Sequence, residues 1–285
     1  MINKCFSEAT IENILSSLVN LSIKNEDKLI LNAIKSMKDG SPTNLKIFLK
    51  LGLKAMLIEK DKTPQWNPSS LEEVKEETVK KHFEEMDDDE FQPLVLDASR
   101  TLNDGLVLQL LKNLMEYELD PNVNLVMIKA NGKAFSAGGD LLSTLGLTTA
   151  GHWSLTAKYY YKWLTLLHLN ITYKKPLVNI VNGFAIGGGA TMSTFATFRI
   201  VTENTIFSLP EIAIGIIPNV GAGYILSRLP GYFGEFLGLT GARIDGADMI
   251  ACGLATHFVP SKVCYLLLEA QILLMLLIYI IMKLA

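Results

Sequence analysis

Asn182-Gly183-Phe184-Ala185-Ile186-Gly187-Gly188-Gly189 follows the apolar, strand-like run Leu177 to Val181. Three consecutive glycines after a buried strand let a helix start where no side chain covers the backbone, so its first N–H groups face open space. Such a terminus attracts negative charge.

Working outward, Phe135-Ser136-Ala137-Gly138-Gly139-Asp140 has the same build and follows a second strand-like run, Leu125 to Ile128. Two bare backbone corners, each after a strand, can aim two N–H donors at one oxygen, which is what stabilising an oxyanion requires. Asp140 reads as the cap of the helix that begins at Leu141.

The elements around these corners alternate. Leu94 to Leu96, Leu125 to Ile128 and Thr256 to Val259 read as strands, and Phe198 to Val201 and Ile206 to Ser208 each as a short strand or a turn. Leu106 to Tyr117, Leu155 to Leu169, Val220 to Leu229, Gly234 to Leu239 and Ala247 to Cys252 read as helices. This is α/β texture with many short elements, and it does not suit a six-strand doubly wound sheet. Tyr159, Tyr160, Tyr161 and Trp163 read as packing beside the site.

The first part of the chain is different. Ile11, Ile14, Leu15 and Leu18 recur at helical spacing, as do Leu29, Ile30, Ala33, Ile34 and Met37, and Ser41-Pro42-Thr43 opens a third helix. A proline-punctuated loop from Asp61 to Pro68 precedes a capping box at Ser70, and Glu84 to Glu90 is a dense acidic run that reads as a solvated linker. At the other end, Val263 to Ala285 is strongly apolar. A buried or partner-facing helix is the favoured reading there over a single-pass membrane anchor, because Glu269 and Gln271 interrupt it.

The chain has 285 residues, 49% of them hydrophobic, enough to bury one sizeable core. A formal net charge of −3 gives no electrostatic case for nucleic acid. Cys5, Cys252 and Cys264 form no CxxC pair, and His82, His152, His168 and His257 show no ligand spacing, so neither a disulfide framework nor a metal site is indicated. No GxGxxG, GxxxxGK[ST] or GxSxG run occurs. No targeting signal is visible at Met1 to Glu8, and Lys283-Leu284-Ala285 is not the usual peroxisomal tripeptide.

Glu211 is the acid of most interest. It sits between Pro210 and Ile212-Ala213-Ile214, where desolvation would raise its pKa and suit it to proton transfer or attack. A helix-capping or salt-bridged surface glutamate is the equally weighted alternative. Asn219, after Pro218, can donate and accept hydrogen bonds but holds no exchangeable acid proton.

Taken together, Lys133 to Asp140, Asn182 to Gly189 and Leu209-Pro-Glu-Ile-Ala-Ile-Gly-Ile-Ile-Pro218 resemble the enoyl-CoA hydratase/isomerase (crotonase) superfamily. Arg228-Leu-Pro-Gly231, Leu239-Thr-Gly-Ala-Arg243 and Gly253 to Val259 narrow the resemblance to the 3-hydroxyisobutyryl-CoA hydrolase branch in a plant-like form. The resemblance implies an α/β fold, a crotonase-like spiral of ββα units with an appended helical segment. Ala137 and Gly188 would supply the oxyanion-hole N–H groups, with Gly138 and Gly187 beside them in the substrate site, Glu211 would be the catalytic glutamate, and Asn219, the second catalytic candidate, would orient the substrate hydroxyl. It further implies an acyl-CoA substrate with no cofactor beyond that CoA, a role in valine breakdown, a homo-oligomer as an allowed assembly, and a mitochondrial location, with the peroxisome as the alternative.

Residues 1–86 resemble the family's C-terminal part, shortened between Lys50 and Ala55. Residues 87–93 form the acidic linker, 94–262 the core, and 263–285 an apolar C-terminal helix outside the resemblance. The order is that of a circular permutation, or of a gene reading that spans tandem copies. Three departures bear on activity: Asn219 stands where the hydrolases have an acid, the glutamate expected near Lys162 and Trp163 is absent, and Ala190 and Thr191 stand where the hydratases carry their additional glutamate. The alternative function is therefore a catalytically degenerate crotonase-fold protein with a binding or assembly role.

Overall fold

The computed structural model describes residues 2–23, 27–40, 45, 102–214 and 216–264. The expected helix at Ser70, the acidic linker, the strand Leu94 to Leu96, most of the third N-terminal helix and the apolar segment beyond Cys264 lie outside the described residues.

The core is built from repeated strand–strand–helix units. α4 (Asp104–Leu119) leads into β1 (Val126–Lys129) and β2 (Ala134–Ser136), followed by α5 (Leu141–Thr149) and α6 (Trp153–Thr172). The next unit is β3 (Leu177–Val181), β4 (Phe184–Ile186) and α7 (Gly188–Thr194). Then come β5 (Phe198–Val201), β6 (Ile206–Ser208), a 3₁₀ turn (Pro210–Ile214), α8 (Ala222–Leu226), α9 (Phe233–Thr240), β7 (Ile244–Asp245), α10 (Gly246–Ala251) and β8 (His257–Phe258). The first strand of each of these three units enters one sheet, ordered β1-β3-β5-β8, and the second enters another, ordered β2-β4-β6-β7. That alternation winds the chain as a spiral, and it is parallel throughout except where β7 pairs antiparallel with β6.

β3 is buried along its whole length, which is why it reads as one apolar run. Leu177 and Val181 face the main core, whereas Val178 and Ile180 join Ile200 and Cys264 in a second cluster on the other side of the sheet. Asn179 is the exception in that run. Its Nδ2 donates to the Met192 and Ser193 carbonyls at 3.0 and 3.2 Å, so it ties β3 to the end of α7.

Two corrections to the sequence reading concern short elements. The glycine run does not follow β3 directly: Phe184–Ile186 forms the separate strand β4, and Ala134–Ser136 likewise forms β2 ahead of the Ala137 corner. The helix expected from Val220 starts only at Ala222, because Val220 and Gly221 both have positive φ, 46° and 87°.

The N-terminal helices α1 (Ile2–Phe6), α2 (Ile11–Ser22) and α3 (Lys28–Asp39) belong to the same hydrophobic core as the spiral. Thr10 and Asp27 cap α2 and α3 by accepting from the Asn13 and Leu29 N–H groups. Phe6 meets Phe236 of α9 edge to face, with ring centroids 5.6 Å apart, and Asn3 Oδ1 accepts from the Tyr232 N–H at 2.9 Å. The end of α3 also reaches the 3₁₀ turn: a Cβ added at Gly40 would lie 3.6 Å from Ile212.

Candidate active site

The two glycine corners meet at one point. A Cβ added at Gly189 would lie 2.2 Å from Ser136 Oγ, so the start of α7 touches the end of β2 only because that residue has no side chain. A Cβ added at Gly138 would be 3.8 Å from the Gly188 nitrogen, which puts the Ala137 corner beside the first turn of α7. Gly187 turns the chain between β4 and α7 with φ 57°, and no side chain caps the helix.

The N–H groups divide into spent and available. Gly138 donates to Ser136 Oγ at 3.2 Å, and Gly187 donates to the Ser208 carbonyl at 2.9 Å, so both glycines shape the corner without offering a donor to a ligand. Gly188, as the first residue of α7, has no acceptor within its helix.

Glu211 enters the same point from the 3₁₀ turn after β6. It is 6% exposed, and its Oε1 is so close to the corner that a Cβ on Gly187 would lie 3.1 Å from it. Its Oε2 has no hydrogen-bond partner among the described residues. Burial pushes the carboxyl up to about 7, with its own backbone N–H pulling weakly the other way. The capped or salt-bridged surface alternative is thus excluded by burial. Ile212, the next residue, is fully buried beneath α9 and the end of α3.

Asn219 arrives on a tight turn in which the Ala222 N–H donates to the Asn219 carbonyl at 2.9 Å. The two central residues, Val220 and Gly221, have the positive φ values of a type I′ turn. For a β-branched residue such as Val220 this is a strained conformation, of the kind that surrounding structure holds in place at functional sites. The turn brings Asn219 to the same cleft as the Tyr160 phenol of α6. Burial raises the Tyr160 pKa, the neighbouring Asn219 amide opposes this, and the nearby Glu211 charge adds to it.

An open cleft of about 520 Å³ joins these groups. All six residues assigned to the site from the sequence line it: Ala137, Gly138, Gly187, Gly188, Glu211 and Asn219, whereas Tyr161, expected to pack beside the site, is 73% exposed. Glu211 is the one carboxylate among the lining residues, and no Lys, Arg or His is among them.

The sequence reading missed the polar work of α6. The Tyr159 hydroxyl donates to the Leu102 carbonyl at 2.5 Å and accepts from the Asp140 N–H at 3.2 Å and from Trp163 Nε1 at 3.0 Å. It therefore pins the Gly139–Asp140 corner to α6, and its burial pushes its pKa up to about 12. The spacing Tyr159-x-x-x-Trp163 was the available signal, since residues four apart share a helix face. Lys162, on the outer side, pairs with Asp104 at 2.7 Å. Asp140 caps α5 as expected, accepting from the Ser143 N–H at 3.1 Å. Among the described residues no cluster of His, Cys, Asp and Glu could hold a metal ion, and no helix is long and apolar enough to cross a membrane.

A double-strand spiral that brings two glycine corners and a buried glutamate to one cleft defines a protein class, and the family profile for enoyl-CoA hydratase/isomerase matches residues 95–274: the chain belongs to that family. Within it, the chain is 52% identical over 171 residues to 3-hydroxyisobutyryl-CoA hydrolase 1 of Arabidopsis thaliana, a match that covers 59% of this chain and 45% of that protein. It is 43% identical over 166 residues to the protein named 3-hydroxyisobutyryl-CoA hydrolase, mitochondrial, of Xenopus tropicalis, covering 58% of this chain and 43% of that one. The chain thus spans under half the length of these curated relatives. Among solved structures, an enoyl-CoA hydratase from Rhodobacter sphaeroides superposes with a TM-score of 0.59 at 36% identity, over 61% of this chain and 52% of that one.

Proposed function

We propose that the chain is an acyl-CoA thioester hydrolase acting on 3-hydroxyisobutyryl-CoA, releasing 3-hydroxyisobutyrate and CoA in valine breakdown. The observation that carries the reading is Glu211, the one carboxylate among the described residues lining the cleft, buried and set against a glycine corner. Hydration of an enoyl group takes a proton from the attacking water and delivers one to the α-carbon, which calls for a second acid or base that the described lining of this cleft does not offer. Thioester hydrolysis asks less. The leaving thiol has a pKa of about 8.5 as a free thiol, so it departs as thiolate without a dedicated acid.

In this reading the thioester carbonyl oxygen lies against the Ala137 and Gly188 N–H groups, where charge develops as the carbonyl carbon becomes tetrahedral. Ionised Glu211 either attacks that carbon, forming an acyl–enzyme anhydride that water then hydrolyses, or takes a proton from the attacking water. Asn219 orients the substrate hydroxyl. The reaction uses no cofactor beyond the CoA of its substrate, and the name of the Xenopus relative supports a mitochondrial compartment.

The reading extends to the chain's order: residues 1–86 take the place of the family's C-terminal part. Docking of α1–α3 on α9 and behind the Glu211 turn supports it, because a helical layer there completes the burial of the catalytic turn.

Release of free CoA from 3-hydroxyisobutyryl-CoA tests the function, measured for the chain, Glu211→Gln and Asn219→Asp. The expected result is turnover by the chain and loss of at least 10²-fold in Glu211→Gln. No turnover by the chain, with turnover restored in Asn219→Asp, would overturn the enzyme reading for the natural sequence.

A further inference from the structure

The corner at Ala137 is held unequally on its two sides. Upstream, β2 is paired with β4, and Ser136 stands opposite Ala185. Downstream come Gly138, with φ 92°, and Gly139, a stretch of backbone with no Cβ to limit its conformation. The helix that follows, α5, has no buried residue and anchors the corner weakly. Leu102 holds this downstream side: its N–H donates to the Gly138 carbonyl at 2.9 Å, and it forms a single parallel bridge with Gly139.

One hydroxyl locks that bridge. The Tyr159 hydroxyl donates to the Leu102 carbonyl at 2.5 Å and accepts from the Asp140 N–H at 3.2 Å, so it joins the two segments that the bridge brings together, and Trp163 Nε1 donates to it at 3.0 Å. Burial pushes the phenol up to about 12, so it stays a donor through the neutral range. The fit against the corner is close. A Cβ added at Gly139 would lie 2.8 Å from the Tyr159 hydroxyl, while the next atoms, Trp163 Nε1 and the phenol Cζ, would be 3.5 and 3.8 Å away, which are ordinary contact distances. The hydroxyl is thus the one atom that a methyl there would strike.

We propose that Tyr159 is a positioning residue for catalysis: by joining Leu102 to Asp140 it holds the Gly138–Gly139 backbone still, and so keeps the Ala137 N–H aimed at the thioester carbonyl oxygen. The inference rests on the acyl-CoA reading above. Tyr159 takes no part in proton transfer, since its one hydrogen is spent on Leu102. Its effect falls on the transition state, where the carbonyl oxygen becomes charged, and hardly on ground-state binding of the CoA thioester. A donor that is kept but no longer held costs less than one removed outright, about 10- to 100-fold in kcat.

Tyr159→Phe removes the hydroxyl and keeps the ring. It should lower kcat for CoA release about 10- to 100-fold with KM within about threefold of the unaltered chain. A second readout is the carbon-13 resonance of the carbonyl in a non-hydrolysable ketone analogue, in which a methylene separates the CoA sulfur from the carbonyl. On binding to the unaltered chain this resonance should move downfield of the free analogue, and Tyr159→Phe should lose most of that shift. Gly139→Ala strikes the hydroxyl from the other side, so it should produce the same two losses, and it carries the test if Tyr159→Phe fails to fold. The double variant should match Tyr159→Phe alone, because no hydroxyl is left for the methyl to meet. Retained kcat or an unchanged carbonyl resonance in Tyr159→Phe, or in Gly139→Ala where that variant carries the test, or losses that multiply in the double variant, would overturn the proposal and leave the acyl-CoA reading in place. A chain that neither releases CoA nor binds the analogue would remove that reading, and the proposal with it.

Discussion

Replacing Glu211 by Gln should make the protein more stable at neutral pH while abolishing CoA release. The folded-state pKa of Glu211 is about 7, against 4.5 for a glutamate free in water. Since the pKa is raised, the folded state holds the proton more tightly than the unfolded state. The stability from that proton is fully present below about pH 4.5 and is lost as pH rises to about 7. At 1.36 kcal/mol per pH unit, the rise corresponds to roughly 3 kcal/mol. Gln does not ionise, so the variant escapes this loss. Chemical denaturation of both proteins at a series of pH values from 4 to 8.5 would show it, since titration of all other groups cancels in the difference. The stability difference between Glu211→Gln and the parent should shift in favour of the variant by roughly 3 kcal/mol between pH 4.5 and pH 7.5. A difference that stays constant over that range would refute the claim that Glu211 is desolvated in the folded protein.

The same carboxylate governs rate: kcat/KM for CoA release should rise with pH to a midpoint near 7, because the ionised form reacts, and a flat profile from pH 5 to 8 would contradict this. Gly189→Ala places a methyl 2.2 Å from Ser136 Oγ and must part the two corners. CoA release should fall by about 10²–10³-fold, comparable to losing an oxyanion-hole donor, with circular dichroism unchanged. Phe6→Ala removes a ring that is 1% exposed and packs on Phe236, so it should cost about 3–5 kcal/mol in denaturant unfolding. A cost below about 1 kcal/mol would mean that the N-terminal helices do not share the core of the spiral.

Much of the core was legible because its elements have strong local signals. β3 was readable to the residue from its apolar run, interrupted only by Asn179, and α2 and α3 from their helical spacing. The two strands β2 and β4 were not, since three residues beside a glycine turn carry too little periodicity to stand out. Val220 read as helix because a valine at φ 46° contradicts local preference; the surrounding packing overrides it.

The candidate site divides along the same line. Composition and spacing alone pointed to two donor corners and an acid of uncertain environment, because glycine runs and a Pro-Glu step are local features. Whether Glu211 was buried or capped on the surface depended on packing with segments elsewhere in the chain, and it is that burial which raises its pKa. Tyr159 and Tyr160 looked alike in the sequence. Folding gave Tyr159 three hydrogen-bond partners, Leu102, Asp140 and Trp163, and set Tyr160 on the cleft beside Asn219; a bond such as that to Leu102, between residues 57 apart, leaves no local trace. The sequence by itself determined the backbone corners and the chemistry of the acid; the tertiary structure decided that they share one cleft, because desolvation and cross-chain hydrogen bonding belong to the packed state.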